Sequence, residues 1–349
     1  MSDFESIIHE VSWQSPSNIA LVKYWGKHGV QLPSNPSISF TLNSCRTKTK
    51  LISRKNDLSV RSIDVYVDDQ LKSDFKPKVE KLFDHAERRF PFLSSYSFEI
   101  RTNNTFPHSS GIASSASGMS ALALCICSFA LAQEALEESD FWKSASELAR
   151  LGSGSACRSL FSGLSVWGEH TSIQGSSDKY GIQYDDVHPD FLKYQDTILL
   201  IHKGQKSVSS TVGHKLLEGH PFAEIRFSEA RNNMDLLLDC LRKGDKFEFA
   251  EIVEKEALML HALMMTSDPY FILMQPETLA AIKKIREFRK QNNIPVAFTL
   301  DAGANVHVLY PEDTKEKVLK FVQDELASFC EDGTYLCDSV GFGPTKEKC

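Results

Sequence analysis

The 349-residue sequence lacks the features that mark several common functional classes. Its eight cysteines include no Cys-x-x-Cys pair and no matching pair of histidines, so the sequence favours neither a zinc site nor a dense disulfide framework. Reduced thiols in the cytosol fit best. With 39 Lys and Arg against 46 Asp and Glu, the net charge is −7, which argues against a surface that coats nucleic acid. A polyanionic ligand must therefore be held by a local cluster of cations and backbone amides.

Well-known catalytic signatures are also incomplete. Leu21 stands where a P-loop would have its first glycine, and Trp13 stands where a zinc-protease helix would have its second histidine. No Gly-x-Ser-x-Gly elbow occurs, and Cys157 interrupts the nearest Gly-x-Gly-x-x-Gly pattern. P-loop, zinc-protease, α/β-hydrolase and Rossmann interpretations therefore lose their main support.

Neither a secretory leader nor a membrane span is predicted. The first residues, Met-Ser-Asp-Phe-Glu, carry acids where a leader would carry Lys or Arg. Residues 102–133 contain no Asp, Glu, Lys or Arg, but six serines lie between Ser109 and Ser120. The strongly apolar part, 119–132, has about 14 residues, short of the ~20 that a span needs. We interpret it as a helix buried inside the protein.

The periodicity of apolar residues predicts an α+β protein of two domains, residues 1–195 and 196–349. Strands and helices do not alternate strictly, which disfavours a doubly wound parallel sheet. Strands are predicted at 19–25, 63–67, 98–101, 164–167, 197–202, 296–300 and 306–310, with a short one at the end, and helices at 119–132, 139–151, 223–242, 246–263, 277–291 and 312–329.

A loop rich in Gly and Ser, residues 107–118, leads directly into the apolar helix. Backbone N–H groups at a helix start have no partner within the helix, and the helix dipole favours an anion there. The loop is therefore a candidate phosphate cradle of a kind other than the P-loop. The alternative is an elaborate N-cap for a core helix, although one or two serines would suffice for that.

Residues 152–159, Gly-Ser-Gly-Ser-Ala-Cys-Arg-Ser, form a second candidate site. A helix is predicted to end near Leu151, and Ser155 can cap a new helix that carries Arg158 on its first turn. Two serines and an arginine would then converge on one anion. A plain joint between two helices is the alternative. Cys157 is interpreted as packing because no activating histidine is adjacent.

Two further segments are ambiguous by themselves. In residues 18–27, period-2 alternation places Lys23 beside apolar residues, either facing an anion or guarding a sheet edge. In residues 298–305, Asp301 ends an apolar strand, either as a general base or as an ordinary turn residue. Three nearby histidines, His28, His108 and His307, have no triad partner in the sequence and are interpreted as structural.

Together these strings resemble the mevalonate diphosphate decarboxylases of the GHMP kinase superfamily. The resemblance rests on residues 18–27, 32–39 (Leu-Pro-Ser-Asn-Pro-Ser-Ile-Ser), 111–117, 152–159, 207–211 (Ser-Val-Ser-Ser-Thr) and 301–303 (Asp-Ala-Gly), in the family's order. It implies an N-terminal domain like domain 2 of ribosomal protein S5 and a ferredoxin-like GHMP C-terminal domain, with the active site in the cleft between them. The implied reaction is the ATP- and Mg²⁺-dependent decarboxylation of mevalonate 5-diphosphate to isopentenyl diphosphate.

The resemblance also implies residue roles. Asp301 would lie near the substrate's 3-hydroxyl, Arg158 would bind its carboxylate, and Lys23 would lie near the reacting centre. The remaining substrate-binding residues would be Tyr24, Lys27, Ser153, Ser155, Ser209, Ser210 and Thr211. ATP would contact Pro107, His108, Ser109, Ser110, Gly111, Ile112, Ala113, Ser114 and Ser115, and Ser115 would also bind Mg²⁺. The expected assembly is a cytoplasmic homodimer without nucleic-acid or membrane partners.

Three positions depart from the family pattern. His-Ser-Ser at 108–110 stands where Thr-Ala-Ala is common, Ala304 replaces a common proline, and His214 replaces the usual methionine. None of the three removes a charged catalytic group. The alternatives are a kinase that stops at phosphorylation, a decarboxylase of mevalonate 5-phosphate or another 3-hydroxy acid, and an ATP-binding module without turnover. The presence of Asp301, Lys23 and Arg158 together favours full decarboxylation, and the sequence alone does not give the phosphorylation state of the substrate.

Overall fold

The computed structural model describes residues 7–56, 61–107, 112–204 and 210–348, with the side chains of 210 and 211 left aside. Its strands are β1 (Ile7–Val22), β2 (Lys27–His28), β3 (Leu32–Pro33), β4 (Ser37–Lys55), β5 (Ser62–Val67), β6 (Gln70–Leu71), β7 (Tyr96–Asn104), β8 (Leu164–Trp167), β9 (Gly181–Tyr184), β10 (Gln195–Leu199), β11 (Ala297–Leu300), β12 (Val306–Tyr310), β13 (Tyr335–Ser339) and β14 (Thr345–Glu347). Its α-helices are α1 (Lys76–Glu87), α2 (Ser114–Ala132), α3 (Phe141–Gly152), α4 (Ser210–Lys215), α5 (Ala223–Lys243), α6 (Lys246–Met265), α7 (Pro276–Asn292) and α8 (Lys315–Phe321).

The strands form two main sheets, which confirms the α+β class. In the first sheet the order is β14-β1-β4-β7-β5-β6. Strand β8 pairs with the first residues of β4, 37–40, and on its other side with β9. Only the β5–β7 pair of this sheet is parallel among the described strands. In the second sheet the order is β11-β12-β10-β13, all antiparallel. Strand β4 is long enough to pair with β1 along nearly its whole length.

Helix α2 is the buried helix that the sequence predicts. It packs between the first sheet and α3, and residues 120–130 are buried without a break. It is apolar and long enough to resemble a membrane span by composition alone, but its surroundings are the β1 and β4 strands and their neighbours. Its serines meet partners there: Ser120 shares a hydrogen bond with Ser15, and Ser128 accepts one from Trp13.

Two helices that pack on the second sheet, α6 and α7, begin with capping residues that the sequence shows. The carboxylate of Asp245 accepts the N–H of Glu248 and caps α6. Helix α7 begins with Pro276 behind a capping box formed by Gln275 and Thr278. The predicted helix at 312–329 is instead irregular: α8 passes into a π-helical turn, Val322–Leu326, and then a 3₁₀ turn.

After the second sheet the chain returns to the first one. The carboxylate of Asp338 accepts the N–H groups of Asn43, Ser44 and Cys45 at 2.8–2.9 Å. Gly341 then passes so close to Asn43 that a Cβ on it would lie 2.4 Å from the Asn43 Cα, so only glycine fits. Strand β14 finally pairs with β1 at the edge of the first sheet. This return, residues 338–347, ties the two sheets together.

Replacing Asp338 with asparagine is expected to weaken this connection. The amide would turn one acceptor into a donor facing a buried N–H group, and a buried unsatisfied donor costs about 1–3 kcal/mol. Urea unfolding of Asp338→Asn should show that loss of stability. The matched control is Asp332→Asn, whose side chain is 80% exposed. Equal unfolding midpoints for the two variants would contradict the structural role of Asp338.

Candidate active site

A cleft of about 570 Å³ lies where the end of β1, the turn after α3, the start of α2 and the end of β11 meet. Lys23, Arg158 and Asp301, which are far apart in the sequence, all line it. So do the start of α2 and the Gly-Ser turn at 152–155. The segments that the sequence analysis singled out therefore share one cavity.

Asp301 follows the last residue of β11, as predicted. Its backbone carbonyl accepts the N–H of Gly303 at 2.7 Å and lies 3.2 Å from Nε2 of His261. These contacts fix the turn by its main chain. The Asp301 side chain is partly exposed and lines the cavity, close enough to Lys23 and Arg158 to stabilise both cations.

Arg158 lies on a 3₁₀ helix, Gly154–Leu160, with its side chain 2% exposed. The helix begins one residue before the predicted cap, Ser155, and its N-cap residue is Ser153. The guanidinium donates to the hydroxyls of Ser37 and Ser39 and to the side-chain oxygen of Asn18. Among the described residues no carboxylate lies within ion-pair distance of it. Burial lowers its pKa, and a buried cation with neutral partners is well suited to an anionic ligand.

Lys23 follows the last residue of β1 and is 2% exposed. The interpretation of an edge-strand guard is wrong, because a guarding lysine extends into solvent, whereas the Lys23 side chain is buried in the cleft. Its Nζ donates to the carbonyl of Ala20. Burial lowers the pKa of Lys23 to about 8, although the negative charges of Asp301 and Glu256 oppose that shift.

Four further predicted residues, Tyr24, Lys27, Ser153 and Ser155, line the same cavity. Gly154 lets Tyr24 approach, since a Cβ there would lie 2.9 Å from the Tyr24 hydroxyl. Burial raises the pKa of Tyr24, so the phenol stays protonated. Nζ of Lys27 donates to Gln31 at 2.7 Å, and burial together with the charge of Lys81 lowers its pKa.

The predicted phosphate cradle is described only in part. Ala113, Ser114 and Ser115 line the cavity, and Ala113 has the left-handed φ of +46° just before α2 begins. Ile112 contributes packing, because its side chain is buried and its carbonyl accepts the hydroxyl of Ser17. Pro107 is exposed and is not among the lining residues. His108, Ser109, Ser110, Gly111 and Ser209 lie outside the described residues, as do the side chains of Ser210 and Thr211.

A smaller cavity of about 190 Å³ adjoins the start of α2. Its walls share Lys78, Ser114, Ser115 and Met119 with the main cleft. The rest of the lining includes apolar side chains from β5, α1 and α2, namely Val65, Val67, Val79 and Leu122, and polar residues of β4 and β7. The helix start thus lies between a polar cleft and a more apolar recess.

The sequence analysis missed several lining residues. Lys78 and Lys81 of α1 face the main cleft, and their spacing of three residues places them on one helix face. With these two, the described lining carries five cations (Lys23, Lys27, Lys78, Lys81 and Arg158) against the single carboxylate of Asp301. An acidic protein has therefore collected positive charge in one cavity, as an anionic ligand would require.

His214 was noted only as a departure from the family pattern, but it also lines the cleft. Its ring lies 4.4 Å from that of Tyr24 and 4.5 Å from that of Trp25, measured between centroids. Its Nδ1 accepts the N–H of Gly26. Burial lowers its pKa to about 3, so the imidazole is neutral and carries its proton on Nε2.

His307 and Cys157 are buried, which fits their structural interpretation. His307 is buried in the second sheet with Nδ1 2.7 Å from the Asp196 carboxylate. His28 lines a separate surface cavity. Burial raises the pKa of Cys157 to about 12, so the thiol is not an activated nucleophile.

The comparisons with known proteins agree along the chain. Residues 15–179 match the diphosphomevalonate decarboxylase-like N-terminal domain, and residues 197–340 match the mevalonate 5-diphosphate decarboxylase C-terminal domain. The chain is 30% identical over 327 residues to the diphosphomevalonate decarboxylase of Gibberella zeae, covering 89% of this chain and 83% of that protein.

Solved structures of the same kind superimpose on nearly the whole chain. A structure of MDDEF in complex with MVAPP, AMPPCP and magnesium has a TM-score of 0.83 and 27% identity, covering 97% of this chain and 99% of that one. Mevalonate diphosphate decarboxylase from Staphylococcus aureus has a TM-score of 0.82 and 27% identity, covering 97% and 98%. The chain belongs to the diphosphomevalonate decarboxylase family.

Proposed function

We propose that this protein catalyses the ATP-dependent decarboxylation of mevalonate 5-diphosphate to isopentenyl diphosphate, ADP, phosphate and carbon dioxide. The observation that carries the proposal is the cleft in which Asp301, Lys23 and Arg158 meet beside the start of α2. One carboxylate faces a group of cations there, which suits a substrate with a diphosphate, a carboxylate and a tertiary alcohol.

The reaction has two steps, phosphoryl transfer and decarboxylation, and different residues act in each. A tertiary hydroxide is a poor leaving group, so phosphoryl transfer first converts it into a good one. Asp301 orients the hydroxyl or accepts its proton during this transfer, while Lys23 offsets the charge on the phosphate oxygens. Arg158 then holds the carboxylate so that the breaking C–C bond is aligned with the departing phosphate.

The remaining groups hold the two anionic reactants. Tyr24, Lys27, Ser153 and Ser155 bind mevalonate diphosphate, and the family resemblance adds Ser209, Ser210 and Thr211 to this set. On the nucleotide side, Ser114 and Ser115 present hydroxyls and N–H groups at the positive end of α2, and Lys78 and Lys81 add charge. The apolar recess of about 190 Å³ next to them is the proposed site of the adenine ring.

The donors in the cleft also fit Mg²⁺. The described residues contain no cluster of three or more His, Cys, Asp or Glu that could hold a metal by itself. Mg²⁺ commonly takes one or two protein oxygens together with water and substrate phosphates, and Ser115 offers such an oxygen at the α2 start. When bound, Mg²⁺ neutralises charge on the phosphate oxygens of ATP.

The function is tested by measuring ADP formation and carbon dioxide release with mevalonate, its 5-phosphate and its 5-diphosphate in parallel. We expect both products only with the 5-diphosphate. ADP without carbon dioxide would instead indicate a kinase, and turnover of the 5-phosphate would replace the proposed substrate. In the same assay Asp301→Asn should lower kcat at least ~10²-fold, the usual scale for loss of a general base.

The matched control for Asp301→Asn is Asp324→Asn, a half-exposed residue paired with Lys320 on the surface. It makes the same chemical change away from the cleft and should leave kcat unchanged. Near-normal turnover by a folded Asp301→Asn protein would rule out the proposed role of Asp301.

The pKa of Lys23 predicts a pH dependence. Because this pKa is lowered to about 8, the ammonium is present below that pH and is lost as the pH rises through it. Competitive labelling with acetic anhydride, read by peptide mass spectrometry, should give a midpoint near pH 8 for Lys23, and kcat/KM of the free enzyme should fall above it. Lys320 is the internal control, because its bond to Asp324 raises its pKa. A Lys23 midpoint near the ordinary lysine value of 10.5 would contradict this prediction.

We also propose that the enzyme is a cytoplasmic homodimer. All seven described cysteines are free thiols, which suits a reducing compartment. Exposed apolar side chains lie on two segments linked by a His220–Thr266 hydrogen bond, among them Phe222, Ile225, Tyr270 and Ile272. The enzyme recovered from the cytosolic fraction of cells should sediment with twice the chain mass of 39.2 kDa. Recovery in another fraction, or sedimentation as a single chain, would contradict one half of this proposal.

A further inference from the structure

The backbone of Lys23 is held by three side chains, two of which come from the second half of the chain. The β1–β4 pairing ends at Val22, so the Lys23 peptide has no strand partner. Instead, its N–H donates to the Glu256 carboxylate at 2.9 Å. Its carbonyl accepts from Arg226 at 3.2 Å and from Asn35 at 3.0 Å. Both main-chain groups of Lys23 are therefore fixed at the point where the strand ends.

Glu256 of α6 and Arg226 of α5 form a buried ion pair beneath the cleft. The guanidinium makes two hydrogen bonds to the carboxylate, at 3.0 and 2.7 Å, and the two side chains are 1% and 0% exposed. Asn233 also donates to the carboxylate. Such a pair costs much desolvation, and apolar residues of similar volume often stabilise a protein equally well. Fold stability alone therefore gives weak grounds for its presence.

The pair also sets the electrostatic surroundings of Lys23. Glu256 and Asp301 are the negative charges that favour its ammonium, and Arg226 and Arg158 are the positive charges that oppose it. These four groups come from α6, the end of β11, α5 and the 3₁₀ helix at 154–160. Because Nζ bonds to the carbonyl of Ala20 in β1, the amine is held beside the same strand end at which Glu256 and Arg226 fix the Lys23 peptide.

We propose that Glu256 and Arg226 are positioning residues for Lys23: they fix its peptide at the end of β1, and the Glu256 carboxylate supplies a negative charge that keeps its amine protonated in the cleft. The catalytic consequence rests on the proposed function, in which Lys23 offsets phosphate charge. The structural and electrostatic part concerns Lys23 itself and can be measured without turnover.

The decisive variant is Glu256→Gln, which keeps the size of the side chain and removes its charge. Its matched control is Glu254→Gln, on the same helix two residues earlier. Glu254 also forms a buried bidentate pair, with Arg289 at 2.6 and 2.9 Å, but that pair joins α6 to α7 and does not contact Lys23. Glu256→Gln removes the charge partner of buried Arg226, and Glu254→Gln leaves Arg289 with only the exposed Glu251, so both are expected to lower the melting temperature.

Only Glu256→Gln is expected to change Lys23. Loss of a nearby negative charge should move the acetic anhydride midpoint of Lys23 down by about one pH unit, at the lower end of the effect of a neighbouring charge. At pH 7 the same variant should lower kcat at least ~10-fold per folded molecule, because the amine is less fully charged and less well placed. Glu254→Gln should match the wild type in both measurements.

The outcomes separate a positioning role from a structural one. Unchanged Lys23 titration and unchanged kcat in folded Glu256→Gln would overturn the proposal, however much the variant is destabilised. If the wild-type protein does not decarboxylate mevalonate diphosphate, the proposed function fails, while a shifted Lys23 midpoint in Glu256→Gln still supports the electrostatic role of Glu256.

A second pair of variants covers the case in which Glu256→Gln does not fold. The double variant Glu256→Gln/Arg226→Met leaves no lone buried charge, and Glu254→Gln/Arg289→Met is its counterpart. The first double variant should lower kcat at least ~10-fold relative to the second at equal folded concentration, because only the first removes the Arg226 bond to the Lys23 carbonyl and the Glu256 charge that favours its ammonium. Equal kcat values would overturn the proposal.

Discussion

The proposed active site depends on positive charge that is held in one cavity of an acidic protein. Burying Lys23 and Arg158 costs solvation, which neutral hydroxyls and a single aspartate only partly replace. In the proposed function, the bound anionic reactants supply the negative charge that balances these cations. Both the position of the serines around Arg158 and the ion pair beneath Lys23 make sense as a rigid frame that keeps these cations in place without neutralising them.

Much of this site could be predicted from the sequence, in part from local signals and in part only from the combined motifs of the family. The turn after β11 and the Gly-Ser loop before α2 have local signals: an apolar strand ends at a carboxylate, and several serines precede and begin an apolar helix. The role of Lys23 does not: its local pattern fitted an edge strand equally well. Only the combined motifs of the family placed it in a cleft, and the partners that decide its environment lie about 200 residues away in the chain.

Other elements could not be predicted from the sequence, for physical reasons. Lys78 and Lys81 look like part of a solvated helix face, because nothing local shows that α1 borders a cavity. Strand β4 alternates Lys48 and Lys50 with Thr47 and Thr49, a period-2 pattern with too little hydrophobic contrast to be recognised. Strand β14, with the sequence Thr-Lys-Glu, has no strand signal of its own and exists only because β1 offers it an edge.

The return of the chain at 338–347 restricts how the two sheets can move relative to each other. The polypeptide crosses from one sheet to the other twice, once between β9 and β10 and again after β13, and the second crossing is fastened by the Asp338 carboxylate. The core between the two sheets is also continuous, because Leu21 of β1 and Phe40 of β4 belong to the same buried cluster as Ile198 of β10 and Phe249 of α6. A relative displacement of the sheets therefore has to disturb this shared core as well as both crossings.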